Sequence, residues 1–171
     1  MESRPMLFKL LNAIDTRFEI SKIDAHCDIP CRIYDPMTAQ IAALSVVRLM
    51  DIMDETISGD GDALNQQNTI ARCVGRKEEE AEKAKHEVRI IWGDYFKQPQ
   101  FDAFPEIHEI THQIMLTASA CKQGTTRVSG EKLVEQVNRF AEIYWHSKDI
   151  KTASYPCPYP PNLPTVYPIL G

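Results

Sequence analysis

Apolar residues recur at helical spacing in four segments of this chain, which predicts four amphipathic helices. We expect them from Pro36 to about Ile57, from about Ala63 to Tyr95, from Pro105 onward, and after Ser129. Residues 58–62, 99–105 and 124–130 are rich in turn-forming residues and separate these helices. No strand pattern of comparable strength occurs. The pattern therefore predicts an all-α fold, an antiparallel up-down four-helix bundle.

The same pattern predicts how the helices begin and which residues are buried. Asp35 can cap the first helix with Pro36 at its first position, and Ser129 can cap the fourth. A charge run at 76–85 predicts a solvated helix face with pairs such as Glu79–Lys83. We expect the core to include the apolar stripe residues Ile41, Leu44, Val47, Met50, Met53, Ile57, Val88, Ile91, Trp92, Tyr95, Ile107, Ile110, Ile114, Ala118, Leu133, Val137, Phe140 and Tyr144.

The two ends of the chain differ from the middle, which we assign as one domain over residues 26–150. Residues 1–25 contain a short apolar patch, but the charges that follow make a poor secretory signal, so we expect a removable pro-segment in a cytoplasmic protein. Export by another route remains open. Residues 151–171 hold six of the eleven prolines and cannot continue a helix. They form either a flexible tail or an extended arm on a neighbouring subunit.

Charge and cysteine content exclude several classes of protein. The net charge of -5 argues against nucleic acid or an anionic membrane as the main partner. No apolar run reaches the roughly 20 residues that a membrane span requires. Five cysteines, an odd number, do not indicate a disulfide framework. Cys73 and Cys121 lie in predicted helices and are expected to be buried thiols, whereas Cys157 would be reactive if exposed.

The segment from His26 to Tyr34, with the sequence HCDIPCRIY, concentrates metal donors in one loop. If the chain were cut after Ala25, a free α-amine would join the His26 imidazole, the Cys27 amide nitrogen and the thiolates of Cys27 and Cys31. Such a mixed nitrogen and sulfur set suits square-planar Ni(II) or Cu(II). The C-x-x-x-C spacing alone would be weak evidence for a zinc site, because zinc would need two further ligands from elsewhere.

The longer string HCDIPCRIYDP resembles the metal hook of the nickel superoxide dismutase family. A second resemblance lies in WGDYFK at 92–97, followed by Phe101, Pro105, Glu106 and His108 at the start of the third long helix. Two separated motifs in the same order make the resemblance specific, and it extends over roughly residues 26–148. It implies a superoxide dismutase that cycles Ni(II) and Ni(III), with one nickel ion per subunit and a homohexamer of four-helix bundles.

The resemblance also implies roles for individual residues. Nickel would be bound by the amine and imidazole of His26, by the amide and thiolate of Cys27, and by the Cys31 thiolate. A maturation protease would have to cut after Ala25 to free that amine. Tyr34 would gate superoxide access and order water beside the metal. Asp28 and Pro30 would shape the hook, and Tyr95 and Lys97 would lie near the site, where the cation attracts a monoanion.

The chain departs from the family pattern at three positions. The family often orients its axial imidazole with a glutamate sixteen residues after the hook histidine, supported by an arginine on the second helix. Here these positions hold Ala42 and Glu80. Arg32 replaces a usual glycine and adds a positive charge beside the hook. We therefore expect the groups that orient the imidazole to be altered or to be supplied from elsewhere in the chain.

Two alternatives follow from other features. His108, Glu109 and His112 form an HExxH string in a predicted helix, the pattern of zinc hydrolases, and Glu131 could be a third ligand. Against this, the helix carries apolar residues that should pack inward, and no substrate-binding strand is evident. The second alternative is a non-catalytic module in which the hook stores or delivers nickel.

Overall fold

The computed structural model describes residues 32–171; the predicted pro-segment and residues 26–31 of the hook lie outside this range. Five α-helices and two strands follow one another along it. Their bounds are α1 Met37–Ser58, α2 Ala63–Ile90, α3 Gln98–Ala103, α4 Ile107–Gln123, α5 Arg127–His146, β1 Thr152–Pro156 and β2 Pro164–Pro168. The fold is mainly helical, as the periodicity predicts.

The four long helices form the core of the described chain. Helix α1 packs against α2 and α5, and α4 packs against the same two helices. Most of the predicted stripe residues are buried, including Val47, Leu133, Val137 and Phe140 at 0% exposure. The prediction is wrong for Ile41 and Ile57, which are 45% and 68% exposed. Within residues 32–171, no helix combines the length and the apolar character needed to cross a membrane.

Helix α1 begins at Met37, one residue later than predicted, with Pro36 at its N-cap, and α5 also begins elsewhere than predicted. The Asp35 carboxylate accepts a hydrogen bond of 2.8 Å from the Met37 amide, which satisfies one of the free donors of the first turn. Helix α5 begins at Arg127, with Thr126 at its N-cap. Ser129 lies within the first turn, so the capping role predicted for it is wrong.

The segment after α2 differs from the predicted single helix over 63–95. The α-helical hydrogen bonding stops at Ile90, and residues Ile91–Tyr95 form a wider π-helical turn. The predicted loop between Pro99 and Pro105 contains the short helix α3. A π-turn changes the direction of the following side chains, and such turns are frequent at functional sites.

The charge run at 76–85 is not entirely a solvated face. Lys77 is 1% exposed, and its Nζ donates to the carbonyls of Lys122 at 3.0 Å and Gly124 at 2.9 Å, and also to that of Cys121. Because the last carbonyls of a helix lack partners within it, Lys77 caps the C-terminal end of α4. Burial lowers the pKa of Lys77. Sequence periodicity alone does not reveal this buried cation.

The Pro-rich segment forms an antiparallel hairpin, which corrects the all-α prediction. Strand β1 pairs with β2 in a register that places Thr152 opposite Pro168 and Ser154 opposite Val166. The hairpin contacts α5 of its own chain. The expectation of a flexible tail is therefore wrong, and nothing in the described chain requires a neighbouring subunit to order this segment. Cys157 is 2% exposed, so the condition for its predicted reactivity is not met.

Candidate nickel centre and its surroundings

The predicted metal ligands His26, Cys27 and Cys31 lie outside the described residues, as do Asp28 and Pro30. The described chain begins with Arg32, whose φ of 59° lies in the left-handed region that glycine adopts without strain. A glycine would therefore meet no steric penalty at this position, where the family usually has one. The structure thus describes the chain that follows the hook rather than the hook itself.

Tyr34, three residues after Cys31, belongs to an aromatic cluster that involves α5 and the π-turn. Its ring centroid lies 6.0 Å from that of Tyr95, which in turn lies 4.8 Å from that of Tyr144. The Tyr144 hydroxyl donates to the Tyr34 carbonyl oxygen at 2.5 Å. Two of the residues assigned near the site, Tyr34 and Tyr95, are thus brought together across 61 residues of sequence.

Tyr95 is oriented by a hydrogen-bond chain at the end of α5. The Ser147 hydroxyl donates to the Tyr144 carbonyl at 2.7 Å, and the Tyr95 hydroxyl lies 2.8 Å from the Ser147 Oγ. A serine hydroxyl has one proton to donate. Because that proton is used for Tyr144, Tyr95 is the donor to Ser147. The phenol of Tyr95 is thereby held in place by a helix end.

Positive charge lies next to this cluster. The Nζ of Lys148 lies 5.0 Å from the ring centroid of Tyr95 and 5.1 Å from that of Tyr144, within the range of a cation–π interaction. Lys97 is exposed at the start of α3, and its Nζ donates to the Gly93 carbonyl at 3.2 Å. Lys97 therefore folds back over the turn that carries Tyr95.

Tyr144 is fully buried, and this fixes its protonation state. Burial is the main cause that raises the pKa of Tyr144 well above its ordinary value of 10, and the negative charges that Tyr95, Asp35 and Tyr34 would carry add to the effect. The hydroxyl thus remains a hydrogen-bond donor throughout the physiological pH range. The sequence predicted that Tyr144 is buried, but it gave no signal for the partner of its hydroxyl.

The two positions that depart from the family pattern lie on neighbouring helices. Ala42 is fully buried on α1, and Glu80 is 6% exposed on α2. An oxygen of Glu80 lies 2.6 Å from a guanidinium nitrogen of Arg76, one turn away. Glu80 and Arg76 line a cleft of about 330 Å³ together with Arg48 and Tyr159. Glu80 is thus a buried, charge-paired carboxylate rather than a solvated member of the charge run.

Within residues 32–171, the HExxH string belongs to no cluster of metal ligands. His108 accepts a hydrogen bond of 3.1 Å from the Trp92 indole at Nδ1. Glu109 accepts one of 2.6 Å from Gln113, and Glu131 pairs with Arg127. Among residues 32–171, no group of three or more histidine, cysteine or acidic side chains is placed to hold a metal ion. The zinc-hydrolase alternative is therefore not supported.

The donor set of the hook, tested by its chemistry, fits nickel. An amine, an amide nitrogen, an imidazole and two thiolates together provide the nitrogen and sulfur ligands that square-planar Ni(II) accepts. The described part of the chain contains no competing cluster of ligands.

Comparison with known proteins agrees with this donor chemistry. The family model described as nickel-containing superoxide dismutase matches residues 21–148, a range that includes the whole hook. The superoxide dismutase [Ni] of Streptomyces seoulensis is 36% identical over 127 residues, which cover 74% of this chain and 91% of that protein. The Streptomyces coelicolor enzyme of the same name is 36% identical over 126 residues, with 74% and 90% covered.

Solved structures give the same result. A native nickel superoxide dismutase structure at 1.30 Å matches with a TM-score of 0.64 and 34% identity, covering 72% of this chain and 99% of that one. A structure with nickel ligation corresponding to the oxidised state matches with a TM-score of 0.64 and 35% identity, with the same coverage. The chain belongs to the nickel-containing superoxide dismutase family.

Proposed function

We propose that this chain, once cut between Ala25 and His26, disproportionates superoxide to dioxygen and hydrogen peroxide with nickel as its cofactor. The observation that carries the proposal is the family match, which begins at residue 21 and therefore includes the donors His26, Cys27 and Cys31. Two superoxide anions and two protons give one dioxygen and one hydrogen peroxide. Nickel, when bound, supplies the one-electron cycling between Ni(II) and Ni(III).

The residues of the hook hold the metal in this proposal. The His26 amine and imidazole, the Cys27 amide nitrogen and thiolate, and the Cys31 thiolate are its ligands. An acylated His26 nitrogen is a poor donor, which is why cleavage after Ala25 by a maturation protease is required. Asp28 and the Pro30 turn shape the loop that brings these atoms together.

Residues of the described chain control how the substrate arrives. Tyr34 limits access and orders water, and Tyr95, held by Ser147, forms the wall beside it. Lys97 supplies a local positive charge on a chain whose net charge is -5, so that it attracts a monoanion that the whole molecule would repel.

The finer architecture is part of the same proposal. The pairwise packing of α1, α2, α4 and α5 supports an antiparallel up-down four-helix bundle for residues 26–150, with the hook before it and the hairpin of 151–171 after it. Assembly as a homohexamer follows from the family resemblance alone. The cytoplasmic location, expected from the leader, stays a prediction.

The test compares superoxide dismutation by nickel-loaded protein beginning at His26 with that by the Met1-start chain. Fast dismutation in the processed form alone would establish the reaction and the role of the free amine. Nickel binding with superoxide decay at the background rate would favour the storage or delivery module instead. His26→Gln should abolish dismutation, whereas His112→Gln should leave it unchanged; loss of activity with His112→Gln alone would overturn the proposal.

A further inference from the structure

The nickel ligands lie on a segment that enters the helical core at Tyr34. A loop that must present several donors to one metal binds it more tightly when its ends are already fixed, because less conformational freedom is lost on binding. Asp35 and Pro36 connect Tyr34 to α1, and Pro36 is buried. The residue that fixes the main chain at Tyr34 therefore determines where the hook joins the helical core.

Tyr144 makes this contact from a rigid position. Its side chain is 0% exposed near the end of α5, with the Tyr95 ring on one side and the Trp145 ring centroid 5.0 Å away. The hydroxyl reaches the carbonyl of Tyr34, a residue 110 positions earlier. The contact is made to the main chain, so it restrains the backbone at Tyr34 rather than the orientation of the Tyr34 ring.

We propose that Tyr144 is a positioning residue for the nickel centre, whose hydroxyl holds the Tyr34 carbonyl and so fixes the base of the hook. This inference rests on the proposed function and adds a residue that the hook motif does not contain. Tyr144 touches neither substrate nor metal in this role. It acts through Arg32, Ile33 and Tyr34, which connect the Cys31 ligand to the carbonyl that Tyr144 holds.

Tyr144→Phe tests the inference, because it removes the hydroxyl and keeps the buried ring. One lost hydrogen bond should loosen the main chain at this point, so the ¹⁵N order parameters of Tyr34 and Asp35 in the nickel-free processed chain should fall from the rigid value of about 0.85 towards about 0.6. Nickel release to a chelator should accelerate by about 3- to 10-fold, and the nickel–thiolate absorption bands should broaden or shift. Ser119→Ala is the matched control, since it removes a hydroxyl that donates to the Met115 carbonyl within α4 and accepts from Lys85 on α2. It should change neither the order parameters at Tyr34 and Asp35 nor nickel release.

The outcomes separate this inference from the proposed function. Wild-type protein that retains nickel and dismutates superoxide, with Tyr144→Phe releasing nickel at the wild-type rate, would overturn the inference alone. Wild-type protein without nickel-dependent dismutation would overturn the proposed function. Should Tyr144→Phe fail to fold, the ¹⁵N order parameters of the wild-type chain still decide. Values at Tyr34 and Asp35 below about 0.6, as in a flexible segment, would show that the contact fixes nothing.

Discussion

The Asn138 side chain on α5 donates a hydrogen bond of 2.7 Å to the carbonyl of Pro164 in the hairpin. Its Oδ1 also accepts from the Val166 amide at 3.2 Å and from the Gln40 side chain at 2.9 Å. One amide thus connects α5, α1 and β2. Gln40 donates in addition to the Val166 carbonyl at 2.9 Å, so both polar groups of that main-chain unit are satisfied by side chains of the helices.

Asn138→Leu should release the hairpin from the helices. The substitution keeps the approximate volume but removes three hydrogen bonds and leaves the buried Val166 amide without its partner, which should cost about 2–4 kcal/mol of stability. Denaturant unfolding measures the loss, and limited proteolysis between residues 152 and 168 reports the release. The control is Gln113→Leu on α4. It removes a side-chain amide that donates to Glu109 of that helix, and it should change stability by less than about 0.5 kcal/mol. Equal protease resistance in wild type and Asn138→Leu would contradict the docking role of Asn138.

The positions of the long helices were predictable, because each depends on apolar residues three or four positions apart. The hairpin was not, because its docking depends on Gln40 and Asn138, which are remote in sequence from Val166 and are polar residues that a periodicity analysis ignores. The same limit applies to the surroundings of the nickel site. The hook was recognisable as a contiguous string of donors, whereas the contact between Tyr144 and Tyr34 joins residues that only the folded chain brings together.

At Gly130, α5 lies so close to α1 that an alanine would fit only if neighbouring atoms moved. A Cβ at this position would lie 2.9 Å from Val47 Cγ2 and 3.2 Å from Met50 Sδ. Valine in a helix has essentially one side-chain rotamer, so it cannot turn away. Gly130→Ala should therefore destabilise the protein by about 1–3 kcal/mol, although alanine is the better helix former.

Gly75 provides the matched control for this substitution. It lies exposed within α2, and a Cβ there would meet no atom within 4 Å. Gly75→Ala should stabilise the protein by about 0.5–1 kcal/mol through helix propensity. Thermal unfolding of both variants should thus shift the melting temperature in opposite directions. A stabilised Gly130→Ala variant would show that α1 and α5 can move apart without loss of packing energy.

The buried thiol of Cys121 should make stability depend on alkaline pH. Burial raises the pKa of Cys121 from 9.0 to about 11, against a smaller opposing effect of Lys77. The native chain therefore holds this proton at pH values where the unfolded chain has lost it. The corresponding stability is fully present below pH 9 and is lost as the pH rises towards 11, about 2–3 kcal/mol for a shift of this size.

Comparison of wild type with Cys121→Ala isolates this contribution from other titrating groups. The difference in unfolding free energy between the two proteins should be constant from pH 6 to 8 and should shrink between pH 9 and 11. Denaturant unfolding at closely spaced pH values measures it. A difference that stays constant through pH 11 would show that the thiol is not protected by burial in the native chain.

Lys97 should increase the rate of superoxide capture through its charge alone. Its ammonium group is exposed and is folded against the Gly93 carbonyl, beside the turn that carries Tyr95. On a chain of net charge -5, a local cation in the role proposed for Lys97 would attract the substrate anion over about a Debye length, roughly 10 Å at 0.1 M salt. Lys97→Met should therefore lower kcat/KM for superoxide by about 2- to 5-fold at low ionic strength, with little change at high salt.

Lys132→Met distinguishes local attraction from the effect of net charge. Lys132 is exposed on α5, in a groove with Glu135 and Glu142, and its substitution changes the net charge by the same amount. If the position of the cation matters, Lys132→Met keeps the wild-type kcat/KM and the wild-type dependence on ionic strength, as measured by pulse radiolysis. Equal effects of the two variants would mean that only the total charge of the chain governs the approach of superoxide, and Lys97 would lose its assigned role.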